Sequence, residues 1–324
     1  MKSTNQYNNE GILREMNGHP DEAMDLFHIA IDADPKNDGA HNNLGFLLSQ
    51  QGLFAEAIQH FDAALAINPQ NDIAHLNKGN AHLAKKELEL AFIHYTKALE
   101  INPENVLTWE MFAKFFILVN QAEEAAKAWT HAMQLDPGEM RYSIELAIAL
   151  SALGKYDDAL SLLKQVLQQE PDNARAWKQM GIIHLVCKEY GIAEELLKKA
   201  LGFAPQDESA RYHLSLTYLA TGKQFEARQE LTRLLQLHPG NVKARTDLGV
   251  LLLSLGECEN ALNEFNHVLV IDPCYYKANY YQGVALHQLN RLKEAEAILQ
   301  KLADATSTDY HREAKAYVEK YFNH

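Results

Sequence analysis

Apolar and polar positions along the chain follow a helical pattern that stops and restarts at a fixed interval. The run AEAIQHFDAALAI (55–67) reads as a helix, and NPQND follows it at once with Pro69 inside. Proline lacks a backbone N–H and clashes with the preceding turn, so it ends one helix yet is tolerated near the start of the next. Pro35, Pro69, Pro103, Pro137, Pro171, Pro205, Pro239 and Pro273 stand 34 residues apart, and only Pro20 lies outside the series. Such a period predicts stacked helix–turn–helix units.

Four columns in that register give the units their expected interior. Ala23, Ala57, Ala91, Ala125, Ala159, Ala193, Ala227, Ala261 and Ala295 are invariably one methyl group. That marks a close helix crossing. Twelve residues earlier stand Gly11, Gly45, Gly79, Ala113, Ala147, Gly181, Ser215, Gly249 and Gly283, all small. Between the two, Gly18, Gly52, Gly154, Gly222 and Gly256, with Asn120 and Asn290, suit a left-handed C-cap, and Lys86 and Lys188 in the same column should be strained. A fourth column is large and apolar (Phe27, Phe61, Tyr95, Trp129, Leu163, Leu197, Leu231, Phe265, Leu299) and is expected to fill the space between neighbouring units.

With its Leu-Gly, Ala, Phe, Ala and Pro positions in order, AHNNLGFLLSQQGLFAEAIQHFDAALAINPQN (40–71) resembles the tetratricopeptide repeat family. The resemblance implies an all-α, right-handed solenoid of about nine 34-residue repeats: 4–37, 38–71, 72–105, 106–139, 140–173, 174–207, 208–241, 242–275 and 276–309. Ser307 takes the proline position in the ninth, so the array is expected to end there. The stretch TDYHREAKAYVEKYF then reads as a capping helix (310–322), with Tyr310, Ala314, Tyr317, Val318 and Tyr321 inward.

Composition narrows the function. No 18-residue apolar run and no secretory signal pattern occur, so no membrane insertion and a cytoplasmic location are expected. Cys187, Cys258 and Cys274 lack paired spacing and read as buried small hydrophobes. Glycine-rich phosphate loops, nucleophile elbows and His-Glu-x-x-His pairs are missing, so no enzyme and no cofactor is expected. His41 with His75, or His75 with His82, has no carboxylate or cysteine at ligand spacing, and no metal site is expected. Residues 1–162 carry 11 Lys and Arg against 23 Asp and Glu, a balance of −12, whereas 163–324 carry 19 against 20, or −1. That sign argues against nucleic acid as partner.

What remains is a binding surface. The resemblance places the first helix of every unit on a concave groove that takes another protein's peptide or helix. Asn9, Asn43 and Asn77 share the sixth position of the first three units, with Asn42 and Asn80 close by. They are similar to the asparagine ladder in the tetratricopeptide superhelix of O-linked N-acetylglucosamine transferase, which implies amides bonding the backbone of an extended peptide. Simple solvation of that face is the other reading. Lys114 and Arg141 stand beside Glu110, Met111 and Glu145, so the carboxylate clamp of co-chaperone members of the family is not matched. Arg175, Lys178, Lys243 and Lys277 are candidate cations of the C-terminal half, for an acidic partner or for internal pairing. Leu107, Met111, Ile117 and Leu118, with Ile73, Leu76 and Leu83, give the middle an apolar character suited to a partner or to a second copy. A self-assembling homo-oligomer, as in the magnetosome-associated members, and an accessory subunit of a transferase or of a secretion or assembly complex are the alternatives to a scaffold.

Overall fold

The computed structural model describes residues 3–305 and 309–322; Ser307 lies outside them. Nineteen helices and no strand occur among the described residues. One compact unit, Met1–Leu162, contains the first helices α1 (Thr4–Met16), α3 (Asp38–Gln50), α5 (Asp72–Ala84), α7 (Val106–Leu118) and α9 (Met140–Ala152). Their second helices are α2 (Pro20–Ala33), α4 (Phe54–Ile67), α6 (Leu88–Ile101), α8 (Ala122–Leu135) and α10 (Tyr156–Gln169), the last of which spans the division. The other unit, Leu163–His324, contains the pairs α11 (Ala174–Val186) with α12 (Tyr190–Phe203), α13 (Glu208–Ala220) with α14 (Gln224–Leu237), α15 (Val242–Ser254) with α16 (Cys258–Ile271), and α17 (Tyr276–Gln288) with α18 (Leu292–Asp304). Helix α19 (His311–Tyr321) packs on α18.

Six of the first helices start at a side-chain N-cap. The residue two positions after the repeat proline (Asn37, Asn71, Asn105, Asn173, Asp207 or Asn241) accepts a hydrogen bond from the backbone N–H three residues on, at 2.8–3.1 Å. This satisfies one of the orphan donors of the first turn. The same cap amides also tie repeats together, since Asn71 donates to Asp38 at 3.1 Å and Asn105 to Asp72 at 2.9 Å.

Each first helix stops in the left-handed conformation. All five glycines of that column have positive φ, and so do Asn120, Asn290, Lys86 (62°) and Lys188 (63°). A 6→1 backbone bond closes the turn, as from Glu87 N to His82 O at 2.9 Å. Lys86 is exposed, and holding an L side chain left-handed costs about 1 kcal/mol. Lys86→Gly is therefore expected to raise the urea midpoint; a lower midpoint would show that the Lys86 side chain contributes more than its backbone loses.

The small columns lie where the two helices of a repeat cross. All nine column alanines are 0 % exposed. A β-carbon added to Gly45 would stand 3.1 Å from the Ala57 carbonyl oxygen and 2.7 Å from the Phe61 ring. The large column covers the small residue of its own repeat as well as reaching its neighbour: Phe27 lies over Gly11, Tyr95 over Gly79 and Phe265 over Gly249. Within each unit consecutive first helices also touch (α1 with α3, α3 with α5, α5 with α7; α11 with α13, α15 with α17), while consecutive second helices have no comparable contact. First helices therefore crowd the inner side of each unit's bend.

A further device recurs at the fourth position of the first helix. His41, Trp109, Trp177, Arg211, Arg245 and Asn279 each reach back to the carbonyl of the repeat proline six residues earlier, at 2.5–3.3 Å. Opposite, on the second helix, the same slot holds His60 against His41, His94 against His75, Glu230 against Arg211 and Glu264 against Arg245.

Two expectations change. Ala314 and Val318 are buried on α19 as expected, but Tyr321, in its last turn, is 39 % exposed. Cys187 and Cys274 are exposed and Cys258 is half-buried. They sit at the α11 C-cap, in the turn before α17 and at the first residue of α16, where no second layer covers the chain. His82, by contrast, is buried and bonded to Glu87 at 2.6 Å.

Candidate interaction surface

The first three repeats present a row of amides on their first helices. Asn43 on α3 donates to Asn8 on α1 at 3.0 Å, Asn42 donates to Asn43 at 3.3 Å, and Asn77 on α5 donates to Asn42 at 3.0 Å. Asn42 is buried, Asn43 and Asn77 are half-buried, and Asn9 is exposed. The row thus alternates between the sixth position, which faces the preceding repeat (Asn43, Asn77), and the fifth, which faces the following one (Asn8, Asn42), and Asn9 of the expected column stands outside it. Asn80 accepts from the Tyr95 hydroxyl at 2.8 Å. Among the described residues the Asn77 Oδ1 acceptor and the Asn80 Nδ2 donor are left without a protein partner. They stand one helical turn apart, beside a small cavity lined by Phe46, Phe54 and Phe61.

The apolar stretch of α7 divides by burial. Leu107 (57 %), Ile117 (48 %) and Leu118 (64 %) are exposed, Met111 is half-buried, and Phe112, Phe115 and Phe116 are core. Leu76 is buried rather than surface-facing, since it packs with Tyr95 and Phe112. Leu83 joins the margin of the same cluster.

Lys114, Arg141, Lys178 and Lys277 are held by carboxylates. Glu110, 3 % exposed, takes Lys114 and Arg141 at 2.7 Å each and the Tyr142 hydroxyl at 3.3 Å. Burial pushes its carboxyl up, but the bonds and charges of Lys114 and Arg141 outweigh that and hold it below the usual carboxylate range. In the second unit Lys178 reaches Asp207, the α13 N-cap, at 2.7 Å. Lys277 on α17 reaches the buried Asp247 on α15 at 2.6 Å, and Tyr212 donates to the same carboxylate at 2.8 Å. Arg175 is half-buried. Lys243 is exposed and has no carboxylate within ion-pair distance among the described residues.

Two histidine pairs lie across the hairpins of the second and third repeats, at 3.1 Å for His41 and His60 and 3.0 Å for His75 and His94, each between Nδ1 atoms. The sequence reading set His41 against His75 and His75 against His82, whereas the fold joins residues 19 apart. Burial first, and then the Lys78 charge, hold His94 down to about 4, and burial also lowers His60 and His75. These three rings are neutral at pH 7. No group of three or more metal-ligating side chains occurs among the described residues, and no described helix is long and apolar enough to cross a membrane.

Comparison with known proteins fits this architecture. Two family models, both described as tetratricopeptide repeat, match the chain: one over residues 9–72, 47–106, 212–275 and 246–310, the other over 117–181 and 150–215. No curated protein matches the sequence. Among solved structures, YrrB, a TPR protein with an unusual peptide-binding site, is similar at 24 % identity and TM-score 0.50, over 57 % of this chain and 95 % of that one. A tetratricopeptide repeat protein from Parabacteroides merdae is similar at 16 % identity and TM-score 0.58, over 77 % and 98 % of the two chains. A chain of the APC/C hetero-tetramer Cut9-Hcn1 is similar at 16 % identity and TM-score 0.58, over 82 % of this chain and 52 % of that one. At these identities the likeness is one of fold. The family models cover most of the sequence, and the chain belongs to the tetratricopeptide repeat family.

Proposed function

We propose that this chain is a non-catalytic protein-interaction scaffold, and that the first-helix face of its N-terminal unit holds an extended peptide of a partner protein. The observation that carries the reading is the amide row. The bond to Asn42 fixes Asn77 and the Tyr95 hydroxyl fixes Asn80, leaving one acceptor and one donor without a protein partner, which complements the N–H and C=O of an extended backbone. The exposed Leu107, Ile117 and Leu118 continue that face as an apolar contact. A peptide-binding site in YrrB, which shares the fold, is consistent with this use. In the C-terminal unit Lys178 and Lys277 are committed to carboxylates, so an acidic partner would meet Lys243 first.

The test starts from a partner identified by pull-down and compares its affinity for the wild type and for the triple variant Asn9→Ala, Asn43→Ala, Asn77→Ala. Each lost bond should weaken binding by about 0.5–1.5 kcal/mol. The same variant should also melt lower, because Asn43 and Asn77 leave Asn8 and Asn42 unpaired. Unchanged affinity in the triple variant, with a loss on Met111→Lys or Ile117→Lys, would sink the amide reading and favour a helix on the apolar face. Light scattering that rises with concentration and is abolished by Ile117→Lys would instead identify a second copy as the occupant.

A further inference from the structure

We propose that His41 and His60 form a binding site for one borderline divalent transition-metal ion of the Cu²⁺, Ni²⁺ or Zn²⁺ class, clamping α3 to α4 in the second repeat. Three observations lead there. The first is the bite: the two Nδ1 atoms are 3.1 Å apart. For metal–nitrogen bonds of about 2.0–2.1 Å, nitrogens so placed subtend roughly 100° at the ion, between the square and tetrahedral angles.

The second is orientation. The Pro35 carbonyl can only accept, so its contact with His41 Nε2 at 3.3 Å places the His41 proton on Nε2 and leaves the Nδ1 lone pair bare. A metal-binding imidazole is commonly held in this way, by a backbone carbonyl on its far nitrogen. In the metal-free protein His60 Nδ1–H donates to that lone pair. Binding requires His60 only to move its proton from Nδ1 to Nε2, with no net proton release.

The third is an internal contrast. His75 and His94 repeat the geometry 34 residues on, but the charges of Lys78 and Lys97 act on His75 and that of Lys78 on His94, offset only in part by Asp62, which pairs with Lys78 at 2.5 Å, so that pair is the less favourable one for a cation. The charged neighbours that act on His60 are only other histidines, His41 and His28. The surrounding unit also carries a net −12 over residues 1–162, which favours a cation. No third His, Cys, Asp or Glu joins the pair among the described residues, so water completes the coordination.

Calorimetric titration of the untagged full chain with CuCl₂, NiCl₂ and ZnCl₂ tests the assignment, run alongside thermal melts. The expected result is one saturable site with affinity highest for Cu²⁺ and a raised melting temperature. Both effects should weaken at least about tenfold in His60→Ala and in His41→Gln while persisting in His94→Ala. The two pocket variants are compared only where circular dichroism shows native helix content, and either one suffices. No saturable binding by the wild type, unchanged binding in His60→Ala, or an equal loss in His94→Ala would each overturn the proposal.

Discussion

Phe61→Ala is expected to lower the free energy of unfolding by about 3–5 kcal/mol, measured by urea denaturation of the whole chain. The ring is 0 % exposed and packs with Leu44, Leu47, Leu48 and Ala57, directly over Gly45. Its removal leaves a cavity that α3 and α4 cannot close, because Gly45 and Ala57 already bring the two helices into close approach at the crossing. The same geometry predicts coupling. Gly45→Ala alone should cost about 1–3 kcal/mol, since its new methyl would stand 2.7 Å from the ring. In the Phe61→Ala background that penalty should shrink, because the methyl no longer meets the ring and only its 3.1 Å approach to the Ala57 carbonyl remains. Strict additivity of the two changes would show that the ring and the glycine do not share one space. Repeats unfold with some independence, so the unfolding signal should be read where Trp109 and Trp129 report on the N-terminal unit.

Glu230→Ala is the second large effect, also about 3–5 kcal/mol, because it leaves a charge buried without its partner. Arg211 has a side chain only 6 % exposed, paired with Glu230, and its other contact is the Pro205 carbonyl at 2.5 Å. The eighth repeat supplies the comparison: Arg245 makes the same bonds to Glu264 and Pro239, but its side chain is 16 % exposed. Glu264→Ala should therefore cost less than Glu230→Ala, and Glu230→Gln, which keeps an acceptor, should fall between wild type and Glu230→Ala. If Glu230→Ala proved as mild as an ordinary surface change, within about 0.5 kcal/mol, the Arg211 guanidinium would have found other solvation and the pair would matter little.

The difference between what could be read early and what could not is visible in single residues. Lys86 was expected to be strained from its column alone and has φ 62°, because a C-cap conformation is set by a few consecutive residues. The nine alanines were expected at a close crossing and are all fully buried, because only one size of side chain fits there nine times over. Cys187 and Cys274 went the other way, since a residue type's general preference for the interior says nothing about a position in a turn. Asn42 stands outside the sixth-position column in the sequence, yet it is the buried centre of the amide row, a consequence of which flank of α3 meets α5.

By itself the sequence determined the period, the helix starts and stops, the crossing points and the membership of the family. These depend on spacing along the chain and on side-chain size, and both are written in the residue order. Only the tertiary structure decided the partners: His60 for His41, Glu110 for Arg141, Asp247 for Lys277 and Asn42 for Asn77. Those contacts span 19 to 35 residues and depend on how far one helix turns about its axis against the next. That angle is set by the packing of the Gly, Ala and aromatic columns together, and no single column specifies it.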